Sequence, residues 1–220
     1  MTRVVEAYVG EYASGKSEVA VNRALEMVAW DEPVTLVDLD LVEPCYTLRP
    51  IKKELQALGV DVIAWETGDS IGWGETGNIL KAEAKWALRR PGNIVFDVGY
   101  GVDGAKSLNL VEGLAGEPSF KVIIVINISR PMTAGVDDIV ALVKGLDKVD
   151  GLINNTHLGD ETTPEVVQEG ARVVTSAARK LGLPVIATTA VKEIAAQLGS
   201  YDAEGNLVRP LKRYMPRSFW

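Results

Sequence analysis

Thiol and imidazole are nearly absent from this chain: among 220 residues there is one cysteine, Cys45, and one histidine, His157. A lone cysteine excludes an intrachain disulfide, and the two residues together exclude a Cys/His zinc site built by one chain. Basic side chains are outnumbered, 23 Lys and Arg against 30 Asp and Glu, for a formal net charge of −7. That balance argues against nucleic acid or an acidic membrane surface as the main partner. Long apolar runs are missing too. The longest, Val122–Ile126, is far too short to cross a bilayer. Thr2-Arg3 leads directly into an apolar run interrupted by Glu6, without the apolar centre of a signal peptide. The expectation is a reduced, cytoplasmic protein that makes no membrane contact. No shift in composition, low-complexity tract or repeat marks a second domain, and the length suffices for one sizeable core.

What is present is alternation. Strand-like runs occur at Val4–Val9, Val34–Leu39, Val60–Ala64, Ile94–Val98, Val122–Ile128, Gly151–Asn154 and Pro184–Ala187. Amphipathic stretches lie between or beyond them, near 16–29, 51–58, 77–89, 104–115, 133–147, 163–181 and 190–198. Nearly continuous apolar strands separated by helices predict a three-layer α/β fold, a mostly parallel sheet of about seven strands covered on both faces. Pro33, Pro91-Gly92, Gly182 and Pro184 fall where elements should end. Glu66–Gly77, rich in glycine and holding Trp73, reads as a loop. Residues 1–200 read as one nucleotide-binding domain. Residues 201–220 read as a turn and a basic, aromatic tail (Arg209, Lys212, Arg213 and Arg217 beside Tyr214, Phe219 and Trp220) that packs on the domain or on a partner subunit.

The chemistry begins at Gly10-Glu11-Tyr12-Ala13-Ser14-Gly15-Lys16-Ser17, a complete P-loop between a strand and a helix. Glycines let consecutive N–H groups curl around an anion at a helix N-terminus, where the helix dipole favours phosphate. Gly10, Ala13, Ser14, Gly15, Lys16, Ser17 and Glu18 are therefore the expected nucleotide contacts. Lys16 reaches the β- and γ-phosphates, and the Ser17 hydroxyl ligates Mg²⁺. A P-loop also needs carboxylates. Ile94-Val95-Phe96-Asp97 is an apolar strand ending in Asp, the Walker B pattern, which assigns Asp97 to the metal. Asp38 and Asp40 follow the strand Val34-Thr35-Leu36-Val37, and ligands of open α/β sheets bind outside the carboxyl ends of the strands. Asp38 is expected to converge with Asp97 on the phosphates held by the P-loop. Asp40 points to the same face, one step farther out.

This order, a P-loop, then Asp38-Leu39-Asp40, then Asp97-Val98-Gly99, resembles the MinD/ParA/CobQ–CobB (SIMIBI) class of P-loop proteins. The segments Asp38-Leu39-Asp40-Leu41-Val42-Glu43-Pro44, Gly151–Leu158 and Glu161-Thr162-Thr163 are similar to a group of bacterial ATP-binding proteins within that class. The resemblance implies an aspartate after the second strand near water and Mg²⁺, with Lys16, Asp38 and Asp40 as the catalytic set. It also implies a protein partner or a homodimer that reads the nucleotide state. Where MinD-like ATPases carry a second lysine after the first glycine, this chain has Glu11. Arg49 is a candidate substitute cation, or an ordinary surface arginine. Gly99–Ala105 has glycines that suit a switch sensing the γ-phosphate and equally suit a tight turn.

Guanine recognition by Asn-Lys-x-Asp needs a carboxylate acceptor. Here the strand end reads Asn154-Asn155-Thr156-His157-Leu158, which supplies none at the required position. Asn154 and Asn155 can pair with adenine, which favours ATP; Thr188 and Thr189 are further candidates for the base. Three functions then compete. The first is a slow, Mg²⁺-dependent ATPase acting as a switch. The second is an ATP-dependent enzyme that activates a carboxylate, of the dethiobiotin-synthetase or cobyrinate-amidation kind, for which Lys52, Lys53 and Lys81 lie scattered in sequence. A metal-insertion NTPase is the third, disfavoured by the shortage of Cys and His.

Overall fold

A computed structural model describes residues 3–40, 48–65 and 80–215. The glycine-rich stretch at 66–77, the surroundings of Cys45, and Arg217, Phe219 and Trp220 lie outside the described residues. The strands are β1 (Val5–Gly10), β2 (Val34–Leu39), β3 (Val60–Ile63), β4 (Asn93–Val98), β5 (Phe120–Ile126), β6 (Gly151–Asn154), β7 (Val185–Val191) and β8 (Val208–Leu211). They form one sheet in the order β3-β2-β4-β1-β5-β6-β7-β8, and every neighbouring pair is parallel. The helices are α1 (Lys16–Val28), α2 (Lys52–Ala57), α3 (Ala82–Lys85), α4 (Gly101–Ala105), α5 (Val136–Lys144), α6 (Pro164–Leu181) and α7 (Lys192–Leu198).

The period-2 alternation of each strand sorts its side chains between two cores. Val5, Ala7, Val9, Phe96, Ile124 and Ile126 face the layer that holds α5 and α6. Tyr8, Val95, Ile123 and Val125 face α1 and α2. A parallel sheet buried on both faces is the three-layer arrangement that the apolar runs require. α6 has a complete set of end signals: Thr163 accepts the Val166 N–H, Pro164 occupies the first turn, and Gly182 closes the helix at φ 67°.

Two buried polar groups on the α1 face satisfy each other. Glu6 on β1 accepts from Arg23 Nε at 2.9 Å and from the Tyr8 hydroxyl at 2.8 Å. Arg23 also lies over the Trp30 ring, 4.9 Å from its centroid. An acid in a central strand is thus matched by a base one layer away, as burial of charge demands.

The structure departs from the sequence reading at the edges. The sheet has eight strands: Val208–Leu211, in the stretch read as turn and tail, pairs with β7. β7 continues to Val191, so α7 starts two residues later than expected. The stretch 104–115 is not one helix but a short α4 followed by 3₁₀ turns at Lys106–Leu110 and Leu114–Gly116.

Candidate functional site

β1 is central in the sheet, and the chain leaves its carboxyl end at Gly10, where a Cβ would stand 2.6 Å from the Val125 carbonyl oxygen. Only glycine allows that approach. The loop then turns back: Ser14 N–H donates to Glu11 O at 3.2 Å, Ala13 sits in the left-handed region at φ 54°, and Gly15 follows at φ 82°. α1 starts at once with Lys16, and its first full helical bond runs from Val19 N to Gly15 O at 3.1 Å. The N–H groups of the first turn, Lys16 to Glu18, therefore have no acceptor within the helix and add to the positive end of its dipole. Lys16 is buried, and so is the Ser14 hydroxyl, which lacks a hydrogen-bond partner.

Strand register aligns the carboxylates with this loop. Asp38 on β2 lies opposite Asp97 on β4, and Asp97 lies opposite Tyr8 on β1, two residues before Gly10. Asp97 is completely buried, and among the described residues neither carboxyl oxygen has a hydrogen-bond partner. Burial pushes its pKa up to about 8, with Asp38 and Asp40 adding to the rise. The Lys16 ammonium and the nearby Ser17 hydroxyl pull the other way without satisfying the oxygens. Asp38 Oδ1 accepts the main-chain N–H of Asp40 at 3.0 Å, which sets the turn after β2, and Asp40 is buried.

A naked carboxylate in a dry site, beside a serine hydroxyl and an anion cradle, suits Mg²⁺. Among the described residues no three Asp, Glu, His or Cys side chains form an all-protein cage. Mg²⁺ usually takes one or two protein oxygens and completes its shell with phosphate and water. Ser17 and Asp97 fit that donor set, with Asp38 on the neighbouring strand end.

The two asparagines after β6 are placed differently from the expectation that both touch the base. Asn154 is fully buried; its Nδ2 donates to Val167 O (3.1 Å) and Thr188 Oγ1 (3.2 Å), and its Oδ1 accepts from Thr156. These bonds engage its polar atoms inside the protein. Asn155 reaches the P-loop instead: Nδ2 donates to Ser14 O at 2.8 Å while Oδ1 accepts from Thr189 Oγ1 at 2.8 Å. His157 lies against the same loop, its Nε2 3.5 Å from where a Gly15 Cβ would be. Burial, Arg130 and Arg213 lower its pKa to about 4, so the ring is neutral at physiological pH.

Several neighbours escape a sequence reading. Arg130, just after β5, donates from Nε to Ala13 O at 3.2 Å. The only hint was its place past a strand's carboxyl end. Tyr12 and Tyr100 meet edge to face at 5.8 Å, joining the P-loop to the turn before α4. Glu11, at the position of the second lysine, faces that same turn beside Gly101. Lys52 and Lys81, scattered in sequence, both donate to Ala64 O just past β3, at 3.2 and 3.5 Å. Arg49 is half-buried, with Nε shielded from water and without a hydrogen-bond partner among the described residues.

No family model matches this chain, and no curated protein matches it. Solved structures do. The cell division protein FtsY of Thermotoga maritima superposes with a TM-score of 0.54 at 17% identity, over 85% of this chain and 61% of that one. FtsY of Mycoplasma mycoides gives 0.57 at 14% identity, over 85% and 60%. The signal recognition particle receptor FtsY of Elizabethkingia anophelis in complex with GDP gives 0.56 at 14% identity, over 86% and 57%. The fold is that of a P-loop NTPase. At 14–17% identity these neighbours share the fold, and they do not single out the MinD/ParA/CobQ–CobB branch expected from the sequence. The chain spans about three fifths of the length of the FtsY chains it matches. Among the described residues no helix is long and apolar enough to cross a membrane.

Proposed function

We propose that this chain binds Mg·ATP, hydrolyses it slowly, and works as a nucleotide-dependent switch read by a protein partner. The observation that carries the proposal is Asp97: a fully buried carboxylate beside Lys16 and Ser17, without a hydrogen-bond partner among the described residues, level with the P-loop strand and pressed by burial towards protonation. Such a group is costly in an empty core and is relieved by a bound cation. Ser17 and Asp97 would hold Mg²⁺, which supplies charge neutralisation at the β- and γ-phosphates. Lys16 offsets phosphate charge as it moves towards the leaving oxygen. Asp38, and behind it Asp40, orient the attacking water. The link from Tyr12 to Tyr100 gives the turn before α4 a route for sensing occupancy.

Base preference follows from which asparagine braces the loop. Asn155 does so, and three residues on stands Leu158, 46% exposed, an apolar side chain where a guanine reader needs a carboxylate. The nearby Asp160 is paired with Arg213. This favours ATP, although one structural neighbour was solved with GDP. Calorimetry with Mg·ATP and Mg·GTP tests both points: ATP should bind more tightly, and Lys16→Ala should abolish the heat. Equal binding of GTP would overturn the base assignment, and no heat from either nucleotide would overturn the function.

A second reading rests on Lys52 and Lys81. Two ammonium groups gathered at one carbonyl past β3 favour an acidic co-substrate, as in the carboxylate-activating, dethiobiotin-synthetase-like alternative. ADP release that requires an added small carboxylic acid would select it over the switch.

A further inference from the structure

Beyond β8 the chain does not wander off. Residues 212–215 run back across the first two turns of α1. Asn22 grips the main chain of Lys212 on both sides: Nδ2 donates to Lys212 O at 2.8 Å, and Oδ1 accepts the Lys212 N–H at 2.9 Å. One turn earlier Glu18 accepts the main-chain N–H groups of Tyr214 and Met215, the latter at 3.0 Å. The Lys212 ammonium lies over the Tyr214 ring at 4.6 Å, and Arg213 pairs with Asp160 beyond β6. The strap thus ties the start of α1 to the loop that carries His157.

Its anchor has an awkward location. Glu18 directly follows Ser17 in the first turn of α1, where unpaired N–H groups favour phosphate. A bare carboxylate there competes with the phosphates for that field and repels them. Burial raises its pKa, while the Tyr214 and Met215 N–H groups and the charge of Arg213 counter the rise. Arg213 is close enough to influence His157 as well, whose ring stands over Gly15. The guanidinium is held by Asp160, on the loop that also carries His157, while Tyr214 and Met215 beside it are bound to the first turn of α1.

We propose that residues 212–215 are a wall of the nucleotide site: they mask the Glu18 carboxylate and bring Arg213 to the α-phosphate side, so that a nucleoside polyphosphate binds tightly only when the strap is docked. This rests on the P-loop reading above, and the test separates the two. Titrations use the full-length chain with Mg·ADP, which avoids turnover. Asn22→Ala, which releases Lys212 without touching the P-loop, should weaken binding about tenfold at low ionic strength, and the gap should narrow in high salt. Arg213→Ala should weaken it several-fold, and Arg213→Lys should restore most of the loss. In a Glu18→Gln background, Asn22→Ala should cost little, because the carboxylate that needed masking is gone. A purely structural strap would lower the melting temperature of Asn22→Ala and leave the Mg·ADP affinity unchanged, which overturns the proposal. A loss of equal size in the Glu18→Gln background also overturns it. No binding by the unmodified chain would instead overturn the P-loop reading itself.

Discussion

Asn155 donates its side-chain amide to the main-chain oxygen of Ser14 at 2.8 Å, joining the end of β6 to the P-loop across 141 residues of sequence. The same side chain accepts from Thr189 on β7. The end of β6 and, through it, β7 are thereby braced against the cradle before any nucleotide arrives. That preorganisation lets a loop with two left-handed residues, Ala13 and Gly15, hold one shape.

Asn155→Ala should therefore act on affinity through geometry. It removes the Asn155 amide from Ser14 O and leaves the Thr189 hydroxyl only its bond to Asn154 O, at a cost of about 1–3 kcal/mol. Calorimetry should register nucleotide binding weakened by roughly tenfold or more, and thermal melting a fall of a few degrees. Unchanged affinity would mean that the loop holds its shape unaided.

The raised pKa of Asp97 makes stability depend on pH in a stated direction. In the unfolded chain this carboxyl ionises near pH 4, and in the folded chain at about 8. Between these values the folded state holds the extra proton, so the ligand-free protein loses stability as pH rises through the window and levels off above it. Asp97→Asn should flatten that dependence and raise the melting temperature at pH 8. Mg·nucleotide binding near pH 7 should release a proton, seen as a dependence of binding heat on buffer ionisation enthalpy.

Asp38→Asn should separate binding from turnover. The side chain stands on the strand next to Asp97 and is assigned to water, not to the phosphates. Affinity for Mg·ATP should change less than threefold, whereas phosphate release falls by about 10² or more. Turnover at the unmodified rate would remove Asp38 from the catalytic set.

Glu6→Leu should be among the most damaging substitutions far from the loop. It strips Arg23 of the bidentate partner on which its burial depends and leaves the Tyr8 hydroxyl without an acceptor. Removing one member of a buried pair costs on the order of 3–5 kcal/mol, or roughly 6–20 °C in melting temperature for a chain of this size. The double variant Glu6→Leu with Arg23→Met should recover much of the loss.

Much of this architecture was legible because strand runs such as Val4–Val9 and Val122–Ile126 are mostly apolar and closely followed by turn or helix signals. β8 was hidden because its four residues include Arg209 and Pro210, and a strand tolerates proline only at an edge or bulge. The helix expected at 104–115 failed because Gly104 and Gly113 weaken helical continuity more than its apolar spacing supports it. At the site, the P-loop and the strand-end acids could be found from spacing alone. The division of labour between Asn154 and Asn155 could not: it depends on which amide faces Ser14, a fact of register between β6 and β1's far side. Arg130, Asn22 and the strap were invisible for the same reason, since each contact joins residues more than a hundred positions apart.

Pro210 has a consequence for how copies of this molecule meet. Leu207 O accepts the Thr188 N–H, so alternation turns the main-chain groups of Val208 and Pro210 away from β7. The Val208 N–H is already taken by Ser200 O, and Pro210 has none to give. A ninth strand arriving at this margin would find no donors to zip onto. Accretion into fibrils or domain-swapped chains is blunted on that flank by Pro210 together with the Ser200 carbonyl.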